Sequence, residues 1–226
     1  MKDIHQETEF FSNDTAITGQ GLINSNVATP IREDAFAVSN EEKKSRIAVL
    51  FKEIMEVIGL DLSDDSLRGT PQRVAKMYIE EIFSGLDPAN KPASTLFLNT
   101  YSYNQMLIEK NITLYSYCEH HFVPIMGKVH VAYISSGKVI GLSKLNRIVQ
   151  YFGRRPQVQE RLTNQIGAEL SSVLETDDIA VIIEAKHLCV CSRGVADDAS
   201  STTTVYYGGR LSAADKIAEL HNYLFR

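Results

Sequence analysis

The chain has 226 residues, 44% of them hydrophobic and 23% charged, which is material for a sizeable core without disulfide staples. Its net charge of -5 argues against nucleic acid or an anionic membrane as a partner. The opening MKDIHQETEFF lacks the apolar centre of a secretory signal, and the best apolar run, IAVII at Ile179–Ile183, is far too short to span a bilayer, so the chain reads as cytoplasmic with no membrane association.

Residues 1–39 show neither helical nor strand periodicity and read as a flexible arm. From Ser39 the pattern becomes helical: Ile47, Leu50, Phe51, Ile54 and Ile58 recur on one face, with Ser39 or Asn40 as the N-cap and Gly59 near the stop. A second helix is expected from Thr70, with Pro71 in its first turn, Val74, Met77, Tyr78 and Ile82 as its apolar face and Gly85 at its end. The two form an antiparallel pair over 40–92.

After Pro92 the period shifts towards two. MLIEKNITLYSYC reads as one long strand, or two joined by a bulge, and GKVHVAYIS with KVIGLS as a hairpin. SKLNRIVQYFG is expected to be helical with Ser143 as N-cap, and PQVQERLTNQIGAELSSVLE to be an amphipathic helix opening on Pro156. DIAVIIEAKHLCVCS and STTTVYYGG read as strands, and SAADKIAELHNYLF as a closing helix capped at Ser212. Two helices followed by antiparallel strands with helices between them make an α+β protein, with 93–226 as its main domain.

Chemistry concentrates in three places. In LYSYCEHHFVPIMG, Cys118 stands in a C-x2-H relation to His121, which a tight turn converges on one metal, while Cys118 and His120 share a face if the strand continues. Spacing alone does not choose between the histidines. In AKHLCVCSRG, His187, Cys189 and Cys191 alternate on the predicted strand and so share a face. The chain's three cysteines are too sparse for a disulfide framework, and thiols with imidazoles suit zinc. A closed structural zinc needs four protein ligands, whereas these clusters hold more candidates than a three-ligand open site requires, which leaves histidines for proton transfer. The third place is SKLNRIVQYFGRRPQVQER, with Lys144, Arg147, Arg154, Arg155 and Arg161 against the single acid Glu160. Ser143, Lys144 and Arg147 fall in the first turn or so of a predicted helix, where an anion is favoured. Arg154 and Arg155 read as a solvated face. No GxxxxGK[ST] loop is present, so a polyphosphate must be held by side chains and helix termini.

LYSYCEHHFVPIMGKVHVAYI, GLSKLNRIVQYF with RRPQVQERLTNQI, HLCVCSRG and TPQRVAKMYIEEIF together resemble the GTP cyclohydrolase I family, in the family's order and from about Asn40 to the C-terminus. The resemblance implies a zinc hydrolase that opens the imidazole ring of GTP, releases C8 as formate and gives 7,8-dihydroneopterin triphosphate for pterin and folate biosynthesis. It implies Zn2+ held by Cys118, His121 and Cys189 with water in the fourth position, and His120 and His187 as acid/base groups. Ser143 would sit near the ribose, Lys144, Arg147, Arg193 and Arg73 would hold the triphosphate, and Gln159 with Glu160 would recognise guanine. Cys191 falls where the motif requires nothing, and Glu119 is given at most a supporting part. The implied fold is the tunnelling fold, in which sheets from several subunits close a barrel, assembled as a homodecamer of two pentamers with sites shared across subunits. A structural zinc module would need neither the spare histidines nor Glu160.

Overall fold

The computed structural model describes residues 28–224. The first part of the expected arm, 1–27, lies outside them. Helix α1 (Asn40–Val57) starts where the sequence predicts: Ser39 is the N-cap, its Oγ accepting from the Glu42 N–H at 3.2 Å, with Glu41 and Glu42 placed to favour the dipole. Its inward residue is Met55, whereas Leu50, Ile54 and Ile58 of the expected apolar face remain 58%, 53% and 67% exposed. Helix α2 (Thr70–Lys76) packs on α1 with Pro71 in its first turn. It then widens into a π-helical turn over Met77–Ile82, so the regular helix is shorter than expected. Lys44 of α1 pairs with Glu80 of that turn.

Gly85 lies beyond the helix, in a 3-10 turn over Ser84–Leu86, and fastens this unit to the main domain. Its N–H donates to the Arg154 carbonyl at 2.9 Å, and a Cβ there would fall 2.0 Å from the Tyr151 carbonyl oxygen. Only glycine permits that approach. Arg155, expected on a solvated face, is instead 8% exposed: its guanidinium lies 4.5 and 4.6 Å from the ring centres of Tyr151 and Phe152, and its Nε donates to the Gly85 carbonyl at 2.7 Å. Arg155 Nη1 and Gln165 Nε2 also donate to Thr29 Oγ1, at 3.3 and 3.1 Å, so the described end of the arm is tied to the domain.

The main sheet contains β2 (Met106–Cys118), β3 (Pro124–Ile134), β5 (Pro156–Gln157), β6 (Ile179–His187) and β7 (Thr202–Tyr207), in the order β5-β2-β3-β6-β7. All pairings are antiparallel except the short β2–β5 contact. A helix does not open at Pro156 as expected: Pro156 and Gln157 run beside Tyr117 and Cys118 as a parallel strand, and α4 (Gln159–Leu174) begins after them. The expected hairpin is also redrawn. Both edges of β3 are taken by β2 and β6, so β4 (Lys138–Ile140) pairs with β1 (Leu96–Leu98) in a separate two-stranded sheet. Helix α3 (Leu142–Gly153) has Gly141, not Ser143, at its N-cap.

The core lies between the sheet and the α3–α4 layer, where Leu114, Val129, Val131, Val181 and Ile183 meet Leu145, Ile148, Leu162, Ile166 and Leu170. A smaller cluster on Met106, Ala132, Ile134, Ala180 and Ile182 is closed by Leu211 and by Leu220 of α6 (Ala214–Leu224). Ser212 belongs to a 3-10 turn ahead of α6, where its Oγ donates to the Gly209 carbonyl at 2.7 Å. Among the described residues no helix is long and apolar enough to cross a membrane.

The register of β2 shifts between Glu109 and Ile112, which makes the strand a single one carrying a bulge. Asn111 takes a left-handed φ of 63° there, which asparagine tolerates, and its N–H donates to Nδ1 of the buried His130 at 3.3 Å. Burial holds the His130 imidazole below its ordinary value, with Lys128 and Lys110 adding to the effect and Glu184 opposing it. An unfolded histidine takes its proton at about pH 6.5, and the native state resists that proton, so this contribution to stability is complete above that pH and is lost as pH falls through the depressed native value. In urea titrations between about pH 5 and 7, His130→Gln should lose less stability on acidification than the parent chain; equal losses would show that His130 carries none of it.

Candidate metal and substrate site

The two cysteine–histidine motifs meet because β2 and β6 flank β3, both antiparallel to it and so parallel to each other. Their C-terminal ends share one end of the sheet, where Tyr117 pairs with Pro124 and Ile125 with His187. The ladder ends at Pro124, which has no N–H to continue it. The strand expected through Ser192 therefore stops at His187, and Leu188–Cys191 forms a helical turn, α5. That corrects the alternation read from sequence: residues two apart on a helical turn point in different directions. Cys189 reaches the β2 end, and Cys191 is not in the group that forms there.

Cys118 Sγ, a ring nitrogen of His121 and Cys189 Sγ all lie within 4.8 Å of one another. Cys118 Sγ is 3.7 Å from His120 Nδ1 and 4.0 Å from His121 Nδ1, so both histidines border the thiol, but it is His121 that shares the group with Cys189. Burial and the adjacent Cys118 thiol push the Cys189 thiol up, while Arg193 acts in the opposite sense. Two neighbouring thiols resist joint ionisation unless a cation lies between them. The donor set, two sulfurs and one imidazole nitrogen, is one that fits a divalent ion of zinc's type with a position left over.

The turn bearing these groups is held from several sides. Cys118 N–H donates to the Val123 carbonyl at 2.9 Å, and Phe122 N–H to the Cys118 carbonyl at 2.8 Å. Phe122 is left-handed, with φ 54°, an unfavourable state for a side chain of its size. Its ring is fixed by Phe83 and Tyr78, with centres 5.1 and 6.3 Å away, and Tyr117 on the other flank of the motif meets Phe83 at 5.7 Å. Glu119, hard to explain from sequence, donates its N–H to the Gln157 carbonyl at 3.0 Å. Its carboxylate accepts both arms of Arg161 from α4, at 2.6 and 3.0 Å, and that guanidinium holds the Glu119 carboxyl below the usual range. The fork-on-fork geometry fixes direction as well as distance.

Glu160 is exposed at the start of α4 and lies close enough to His187 to oppose the burial that holds the His187 imidazole below its ordinary value. Gln159 is 2% exposed, and its side chain is committed inside the fold. Ser143, Lys144 and Arg147 stand in the first two turns of α3. Arg147 lines a polar cleft of about 360 Å3 with Glu80, Gln150 and Arg154. Arg73 donates from Nη2 to the Ser66 carbonyl and to Thr70 Oγ1, both at 2.8 Å. Among the described residues no hydrogen bond or ion pair joins Arg73, Ser143, Lys144 or Arg147 to the Cys118–His121–Cys189 group. A roomier cavity of about 560 Å3, lined by Ile47, Leu50, Phe51, Tyr78 and Phe122 among others, is apolar and suits no polyphosphate. Sequence spacing does not reveal the Arg161 clamp, because Arg161 is one of several positive charges there; its signal is Glu119, an acid with no partner nearby in sequence.

Removing the clamp should loosen the turn. Arg161→Ala is expected to weaken Zn2+ binding by about 10–100-fold in chelator competition and to cost about 1–3 kcal/mol of stability. Unchanged Zn2+ affinity would show that the turn does not need Arg161.

A family model for GTP cyclohydrolase I matches residues 47–223. The chain is 54% identical over 206 residues to the GTP cyclohydrolase 1 of Flavobacterium johnsoniae, covering 91% of this chain and 92% of that protein. It is 52% identical over 198 residues to the GTP cyclohydrolase 1 of Aliivibrio fischeri, covering 88% and 90%. An Escherichia coli GTP cyclohydrolase 1 is likewise 52% identical over 198 residues, covering 88% and 89%. With the matched segment spanning both cysteine–histidine motifs and the helices around them, the chain belongs to the GTP cyclohydrolase I family.

Proposed function

We propose that this chain hydrolytically opens the imidazole ring of GTP, releasing C8 as formate and yielding 7,8-dihydroneopterin triphosphate, as a cytoplasmic enzyme of pterin and folate biosynthesis. The observation that carries the reading is the convergence of Cys118, His121 and Cys189, from two distant motifs, within 4.8 Å of one another, with His120 beside them. These three residues would hold Zn2+. Zinc in such a three-ligand site makes a water acidic enough to serve as nucleophile near neutral pH.

The chain's own groups supply the rest. Ring opening at C8 needs a proton delivered to the purine nitrogen and another recovered later, work suited to imidazoles. His120 is exposed beside Cys118, and His187 is half-buried with its imidazole held below its ordinary value by burial, which supports assigning that exchange to the two. The Glu160 carboxylate accepts the paired N1–H and 2-amino donors of guanine. Gln159, the other member of the expected guanine pair, contributes through the fold, since its side chain is occupied there. Ser143 is assigned to the ribose, and Lys144, Arg147, Arg193 and Arg73 to the triphosphate.

Arg73 is bonded within its own helical unit, to the Ser66 carbonyl and Thr70 Oγ1, rather than to the Cys118–His121–Cys189 group, which supports a site completed by neighbouring subunits. The exposed apolar residues of α1, Leu50, Ile54, Val57 and Ile58, support association between chains. We assign the chain to a homodecamer of two pentamers with a tunnelling-fold barrel, residues 40–92 being its helical unit and 93–226 its catalytic domain.

Zinc-loaded protein should convert GTP to formate and a pterin that fluoresces after oxidation, and a chelator should abolish the conversion. His120→Ala should keep zinc and lose about 100-fold or more in turnover, whereas Cys118→Ala should lose both. Loss of metal in His120→Ala with retention in His121→Ala would reverse the ligand assignment. Mixed assemblies of Arg147→Ala and Cys118→Ala chains should regain part of the turnover; no regain would argue that each site is built from one chain.

A further inference from the structure

Gln159 is the first residue of α4 and is almost fully buried. Its Nε2 lies 2.9 Å from the Thr202 carbonyl oxygen, 3.1 Å from that of Ile183 and 3.1 Å from Thr204 Oγ1. Two of these three neighbours are carbonyl oxygens, which can only accept. The amide NH2 must therefore face them, because a reversed amide would set oxygen against oxygen. With that orientation fixed, Gln159 Oε1 faces His187 Nε2 at 2.7 Å. An amide oxygen cannot donate, so the hydrogen belongs to His187 Nε2. Nδ1 is left as the lone-pair nitrogen of the neutral ring.

The base of the side chain is equally constrained. Thr163 Oγ1 bonds the Gln159 carbonyl at 2.8 Å and Thr204 Oγ1 at 2.6 Å, closing a ring of contacts over α4, β6 and β7. Both amide hydrogens are used within the fold, and neither remains for a purine. We infer that Gln159 is a positioning residue for His187: it fixes which ring nitrogen carries the hydrogen and how the ring is turned, and it leaves guanine recognition to Glu160. The inference rests on the proposed role of His187 in proton transfer.

Two measurements on the zinc-loaded full chain test it. Solid-state 15N spectra of histidine-labelled protein at one fixed pH, with the His187 signals identified by their loss in His187→Gln, should show a ring protonated at Nε2 and bare at Nδ1. Gln159→Met, similar in length but without the amide, should show a mixture of the two tautomers. In steady-state assays the same variant should retain its zinc, lose about 10–100-fold in kcat and change KM for GTP by less than about threefold. Thr204→Val keeps the oxygen facing His187 while removing one anchor, and should give a smaller loss of the same kind, which covers the case in which Gln159→Met does not fold. A parent ring protonated at Nδ1, or a raised KM with kcat retained in either variant, would overturn the inference. If instead the His187 spectra agree but His187→Ala turns over normally, the proton-transfer role fails and the tautomer assignment stands.

Discussion

The site depends on β2 and β6 running the same way on either side of β3, so that two strand ends meet at one end of the sheet. Cys118 closes the first strand and His187 the second, and the chain between them is free to build α3, α4 and their connections. A slip of one residue in either ladder would turn the terminal donor to the opposite face. The buried alternation of Ile112, Leu114, Ser116 and Cys118 opposes such a slip, because it would carry Ile112 and Leu114 out of the core. The same apolar pattern that stabilises the sheet therefore places the first thiol.

Around that meeting point, residues divide by exposure. Those that hold are buried or paired: the aromatic group about Phe83 and Phe122, the Glu119–Arg161 fork, and the Gln159 amide. Those proposed to meet metal or substrate, His120, His121, Glu160 and Arg193, are exposed. A left-handed Phe122 is an expense the fold accepts, since it turns the chain back into β3, where the Val123 carbonyl accepts the Cys118 N–H. Burial and the neighbouring Cys118 resist ionisation of the Cys189 thiol, an effect that a cation between them would relieve.

Much of this was legible in the sequence, though unevenly. The β2 strand, α1 with its Ser39 cap and the body of α4 followed from periodicity and cap chemistry, because each is a local property. Errors arose where tertiary pairing decides. No local pattern announces that Pro156 and Gln157 will run beside β2, or that β3 has no open edge for Lys138–Ile140. The strand ending at His187 is set by Pro124 of another strand, so HLCVC read as continuous alternation. At the site, spacing proposed thiols and imidazoles but could not choose between His120 and His121; the Cys118–His121–Cys189 cluster depends on the sheet. Arg155 reads as surface charge and is an internal stack, and Gln159, which the resemblance assigns to guanine, has its side chain bonded to Ile183, Thr202 and His187. In both cases a polar side chain has partners far along the chain, which composition and spacing do not encode.

The proposed open, three-ligand zinc would lie at the meeting of β2 and β6, held by Cys118, His121 and Cys189. X-ray absorption at the zinc edge of the metal-loaded protein tests it most directly. The expected spectrum has two sulfur ligands at about 2.3 Å, one imidazole nitrogen, and one light-atom ligand that changes when GTP is added. Three sulfurs and one nitrogen, with no change on adding GTP, would mean that Cys191 closes the site and that the metal is structural.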